Sequence, residues 1–208
     1  MKINELWFSK DSNAWIHALD NYWSYIKPSN MRLERELNIL DPAIVNRMNT
    51  SSFYNFLLNK YFKWKYTATN RYTTTTKYFK QYQSGKMYEL EKIKDELFKF
   101  DKNNIKKGLK IATTIRGLGP AGASGLLSLL FPQYYGTIDQ FIVKALSEIK
   151  DLHQNSLIRS MKPDNLSLKD GVILIQIMRD KAKELNTTFN SDYWTPRKID
   201  MVLWTYGR

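Results

Sequence analysis

Apolar side chains recur at three- and four-residue spacing along almost the whole chain, as in Trp15, Leu19, Tyr22, Trp23 and Ile26 and again in Phe53, Phe56, Leu57 and Phe62. Convincing alternation of apolar and polar residues, which a half-buried strand needs, is hard to find. The pattern therefore commits the chain to helices packed on helices. Pro28, Asp41-Pro42, Ser84-Gly85, Gly117-Leu118-Gly119-Pro120, Phe131-Pro132, Pro163 and Pro196 punctuate it as helix ends or starts. Together these signals predict an all-α protein with helices over 11–27, 30–40, 42–49, 51–64, 70–82, 87–99, 101–116, 120–131, 138–150, 154–161, 167–186 and 196–206. No fixed-period repeat or long linker interrupts them. The Thr73 to Thr76 run is read as capping or lining one helix face.

Hydrophobic residues make up 43% and aromatics 14% of the 208 residues, enough for a real core in one large domain or two small lobes. The chain has no cysteine, which excludes a disulfide scaffold, a thiolate zinc site, an iron–sulfur cluster and a cysteine nucleophile together. No stretch approaches the roughly 18 consecutive apolar residues of a membrane span, and Met1 to Lys10 lacks a basic-then-apolar signal pattern. The expectation is a soluble, cytoplasmic protein with no membrane partner.

The formal net charge is +12, and its excess is concentrated. Residues 61–110 carry 13 Lys and Arg against 5 Asp and Glu, interleaved with Tyr61, Phe62, Trp64, Tyr66, Tyr72, Tyr78, Phe79, Tyr82 and Tyr88. Lysines neutralise phosphates and aromatic faces stack on bases, so the combination suits nucleic acid better than a membrane surface. It equally describes a Lys-rich solvated face over an aromatic core, and charge alone does not separate the two.

One segment carries more information. Residues 105–116 read as a helix with Ile105, Leu109 and Ala112 on one face, ending at Gly117-Leu118-Gly119. Pro120 starts a second helix, with Ala123, Leu126, Leu127 and Leu130 as its apolar face. Gly117 and Gly119 permit positive φ and close backbone approach, so amides at the second helix start are placed to meet an anion. The same pattern is ordinary punctuation between helices. After a loop at Tyr134-Tyr135-Gly136-Thr137, Asp139 opens a third helix, 22 residues after Gly117. A helix start favours an anion, and acidic residues are common there for that reason alone.

Hairpin, spacing and flanking apolar residues together resemble the helix-hairpin-helix-GPD superfamily of DNA glycosylases over about residues 105–147. The resemblance implies a two-lobed, helical glycosylase-like fold: one unit over 1–208, with a central lobe at about 51–150 holding the hairpin at 105–131 and a second lobe from 1–50 and 151–208. It implies a monomer acting on double-stranded DNA, hydrolysing the N-glycosidic bond of a damaged or modified base flipped out of the stack and leaving an abasic site. Asp139 would be the catalytic carboxylate, stabilising charge on the sugar and activating water. Backbone at Gly117, Gly119 and Ala121 would bind DNA phosphate. Arg116, where the family has proline, would add a contact. The resemblance also implies a monovalent cation, Na⁺ or K⁺, at the carbonyls of Thr113, Ile115 and Leu118; no other cofactor is implied. Bifunctional members carry a lysine where this chain has Ala121, so the resemblance points to a monofunctional enzyme. The segment from Trp64 to Arg71 resembles the one that supplies a wedge into the gap left by the base, with Tyr66 as wedge and Lys65 and Arg71 toward the backbone.

The rival is a non-catalytic helix-hairpin-helix protein that grips DNA phosphate; a cavity beside Asp139 discriminates against it. A third reading adds a lyase step from an off-motif lysine such as Lys144, which borohydride trapping of a covalent DNA complex would reveal; none is expected. His17 and His153 show no ligand spacing, and the acids Glu89, Glu91, Asp95 and Glu96 lie among lysines at spacings of solvated salt links. The identity of the excised base is not legible.

Overall fold

The computed structural model describes all 208 residues, and they form helices without a single strand. The α-helices are α1 (Ile3–Trp7), α2 (Ser12–Ser24), α3 (Pro28–Asn38), α4 (Pro42–Arg47), α5 (Thr50–Phe56), α6 (Phe62–Lys65), α7 (Thr69–Phe79), α8 (Met87–Lys99), α9 (Ile105–Thr113), α10 (Pro120–Leu130), α11 (Gln140–Ser147), α12 (Asn155–Arg159), α13 (Leu168–Phe189) and α14 (Pro196–Gly207). None is long and apolar enough to cross a membrane.

Proline and side-chain caps set most of the starts. Pro28, Pro42, Pro120 and Pro196 each open a helix, where a missing N–H costs nothing. Asp11, Asp41, Asn49, Asn104, Asp139, Ser167 and Thr195 accept hydrogen bonds from amides of the first turn. Three departures from the periodicity have local causes. The helix expected over 51–64 is broken by a π-helical turn, Leu57–Tyr61, between α5 and α6. The one expected from 101 begins at Ile105, because Asp101 folds into a turn that accepts from the Asn103 amide at 3.0 Å and Asn104 takes the cap. Helix α1 was not expected at all; it is one short turn, closed by Glu5 accepting from the Lys2 amide at 2.9 Å.

One continuous apolar core runs through the molecule. Helix α14 packs against α2, α11 and α13, which joins the two ends of the chain, and α9 packs against α8, α10 and α13. Trp15 of α2 meets Trp194 edge-on at 5.6 Å. The crossing of α11 and α14 is close enough that a Cβ at Gly207 would lie 2.0 Å from the Phe141 carbonyl oxygen.

The aromatic-and-basic stretch resolves into two populations. Tyr61, Phe62, Phe79 and Tyr82 are core, while Tyr78 and Tyr88 stay exposed. Lys94 is buried and donates to the carbonyls of Asn46 and Met48, closing the end of α4. Lys102 donates to the carbonyls of Phe98 and Phe100 and lies 4.3 Å from the Phe100 ring centroid. Lys63, Lys77, Lys80, Lys106, Lys107 and Lys110 remain exposed, so a positive surface is still there, but smaller than composition suggests.

Candidate functional site

The turn between α9 and α10 needs glycine at its first position. Gly117 sits at φ +89°, and a Cβ there would come within 2.5 Å of the Thr75 carbonyl oxygen on α7. The Leu118 amide donates to the Ile115 carbonyl at 3.0 Å, tightening the turn. Gly119, the residue before α10, faces open space, and Pro120 follows it. The first amides of α10 therefore have no intrahelical partner and sit at an accessible helix start.

A depression of about 380 Å³ at this start brings together Gly119, Ala121, Tyr66, Arg71, Thr75 and Asn165. Two sequence expectations thus meet in one place. Arg71 is exposed there. Tyr66 is half-buried: its ring stacks on Phe62 at 6.0 Å, and its hydroxyl presses on α10, where a Cβ at Gly122 would lie 2.4 Å from it. Burial pushes the Tyr66 phenol up to about 12. Arg116 is already partnered, donating to Glu89 at 2.9 Å and Gln81 at 3.2 Å. The Ile115 carbonyl, expected at a cation site with those of Thr113 and Leu118, is engaged by the Leu118 amide, so a cation would have to share that oxygen.

Asp139 stands on the wall of a separate cleft of about 280 Å³. Its Oδ1 accepts from the amides of Phe141 at 2.9 Å and Ile142 at 3.2 Å, as the cap of α11, and its Oδ2 has no protein partner. The loop that delivers it is fixed at three points. Asp200 accepts from the Thr137 amide at 2.6 Å, Ser124 accepts from the Ile138 amide at 2.9 Å, and the hydroxyls of Thr137 and Ser128 lie 3.0 Å apart. Gly136 is required in this loop, because a Cβ would meet Met178 and the Pro196 carbonyl at 2.5 and 2.7 Å.

Aromatic and charged groups from distant helices complete the cleft. Tyr22, Trp64, Phe141 and Trp204 contribute rings, and Lys27 and Arg208 contribute further cations. Beneath them lies a buried charge network. Arg197 donates to Asp200 at 2.7 Å and to Glu34 at 3.1 Å; Glu34 also accepts from the Tyr22 hydroxyl at 2.7 Å and the Trp64 indole at 2.6 Å. One cation faces two carboxylates there, so burial outweighs Arg197 and raises the Asp200 carboxyl to about 6. Burial raises the Tyr22 phenol, and its neighbouring carboxylates add to that. The Arg197 Nε is buried without an acceptor.

Lys65, expected at the DNA backbone, instead lines this cleft with Asp139 and Asp200. Lys144 lies elsewhere, exposed and donating to the Arg208 carbonyl at 3.1 Å. A shallow depression lined by Lys27, Asn30, Lys63, Tyr66, Thr67 and Tyr72 links the two sites: it shares Tyr66 with the hairpin depression and Lys27, Asn30 and Thr67 with the cleft.

Glu34, Arg197 and Asp200 escaped the sequence reading. Glu34 is indistinguishable in sequence from the solvated charges around it on α3. The signal for the other two was present: Arg197 and Asp200 sit three residues apart on the same helix as Ile199, Val202 and Leu203, where charges need partners. Comparison of the chain with family models, with curated proteins and with solved structures finds no match.

Proposed function

We propose that the protein is a DNA N-glycosylase of the helix-hairpin-helix type, a two-lobed monomer that hydrolyses the bond between a damaged or modified base and its sugar in double-stranded DNA. The observation that carries this reading is Asp139: one oxygen is spent on its helix cap, the other is free on the wall of a cleft of about 280 Å³, which has room for a nucleobase. A protein that only clamps phosphate has no use for such a cleft.

Each part then has a task. The start of α10 at Gly119 and Ala121 anchors phosphate through backbone amides, with Arg71 beside it. The linking depression carries the strand toward the cleft, where the rings of Trp64, Phe141 and Trp204 receive the flipped base. Asp139 stabilises the positive charge that builds on the sugar as the bond breaks and takes a proton from the attacking water. Ala121 leaves the hairpin without an amine, so water is the nucleophile for this step. A Na⁺ or K⁺ ion sharing the Ile115 carbonyl would add positive charge at the phosphate.

The test is a panel of duplex oligonucleotides, each with one modified base, treated with the protein and then with alkali to cut abasic sites. At least one should be cut. Asp139→Asn should keep duplex affinity and lose base release by about 100-fold or more. No cutting across a broad panel, or full release by the variant, would overturn the reading.

A further inference from the structure

Lys65 is the last residue of α6, and a space has been kept for it. Its aliphatic stem lies over Gly125 of α10, where a Cβ would come within 3.1 Å of Cδ and 3.4 Å of Cε. Lys65 lines the cleft together with Asp139 and Asp200, and its amine makes no hydrogen bond or ion pair within the protein. The other lysines withdrawn from solvent behave differently. Lys94 and Lys102 are spent on backbone carbonyls, and Lys181 on the Trp7 carbonyl and Glu184. Burial pushes the Lys65 amine below the ordinary lysine range, although Asp139 and Asp200 pull the other way, so more of it is neutral and nucleophilic.

We propose that Lys65 is the nucleophile of a second activity, cleavage of the DNA strand at the abasic site that base release leaves behind. The proposal rests on the reading of the cleft as the place where the sugar of a flipped nucleotide sits. In its open form the abasic sugar presents an aldehyde at C1′. The Lys65 nitrogen adds to that carbon, and loss of water from the carbinolamine gives a protonated imine. A carboxylate facing the sugar, that of Asp139, then removes a proton from C2′. The electron pair released forms the C2′–C3′ double bond and expels the 3′-phosphate with the C3′–O bonding pair. Water finally hydrolyses the conjugated imine, returning the Lys65 amine and leaving an unsaturated aldehyde on the 3′ end of the cut strand. No oxidant or reductant is consumed. Ala121 removes the amine from the hairpin, and α6 supplies one from a different helix. Lys144, bound to the Arg208 carbonyl outside the cleft, takes no part.

The experiment needs no knowledge of the excised base. The full chain is incubated with a duplex containing one preformed abasic site, in the presence of borohydride, which reduces the imine to a stable amine. A covalent protein–DNA complex is expected, and peptide mapping by mass spectrometry should place the adduct on Lys65. Without borohydride, the strand should be cut with no alkali step. Lys65→Ala and Lys65→Arg should both abolish trapping, and Lys144→Ala should trap like the unchanged protein. Absence of trapping, or an adduct mapped to another residue, would overturn the proposal. The oligonucleotide panel separates the two readings: base release without trapping removes the lyase and leaves the glycosylase, whereas trapping at Lys65 without release of any base removes the glycosylase and leaves the lyase.

Discussion

At the scale of single residues, the cleft is defined by how one cation is divided among carboxylates. Burial raises the Asp200 carboxyl to about 6 against the pull of Arg197, which serves Glu34 as well, and the negative charge of Asp139 adds a smaller push in the same direction. Between the ordinary value of 3.8 and about 6 the folded protein binds a proton that the unfolded chain has released. The resulting stabilisation is complete below the unfolded value and disappears as pH rises through the folded one, up to about 3 kcal/mol for a shift of this size. The stability advantage of the parent over Asp200→Asn should therefore shrink between pH 4 and pH 7. Thermal melts of both across that range check it, and a constant or growing difference would count against the assignment. Asp139 was legible in the sequence because spacing from a glycine hairpin is a property of order along the chain. The partners of Asp200 were not, since burial of a charge depends on which distant helix comes to rest on it.

At the scale of elements, proline, caps and periodicity carry most of the information, and the helices near 87–99, 120–131 and 196–206 appear almost as the sequence places them. What periodicity does not contain is the depth of contact between helices. The sequence marks Gly119 as a hairpin glycine and gives no sign of Gly207, yet Gly207 lies against the backbone of α11 while Gly119 faces open space. Gly207→Ala should cost about 1–3 kcal/mol by forcing α11 and α14 apart. Gly119→Ala should stay within about 0.5 kcal/mol of the parent. Chemical denaturation distinguishes the pair. The π-helical turn at Leu57–Tyr61 is likewise invisible to a 3.6-residue period. It changes the facing of everything after it, and Trp64 and Lys65 follow directly, which is why a stretch that reads as one helix delivers Lys65 to the cleft.

At the scale of the whole molecule, the exposed lysines and the buried ones predict different things. Duplex affinity should fall steeply with salt, and Lys63→Ala, at the depression linking hairpin and cleft, should lower the log–log slope by about one phosphate. Lys94→Met should leave that slope unchanged, because its ammonium is already bound to two carbonyls. Removing the central cation is a different matter: Arg197→Met strands two buried carboxylates and should cost about 3–5 kcal/mol, read from denaturant midpoints. Glu34 and Arg197 are 163 residues apart in the chain. A ribosome delivers the first of them long before the second. Until the segment with Arg197 and Asp200 has emerged, the cleft has no floor and the Asp200 anchor of the Asp139 loop does not exist. The base-releasing activity proposed above is thereby tied to the arrival of the segment that carries Arg197 and Asp200.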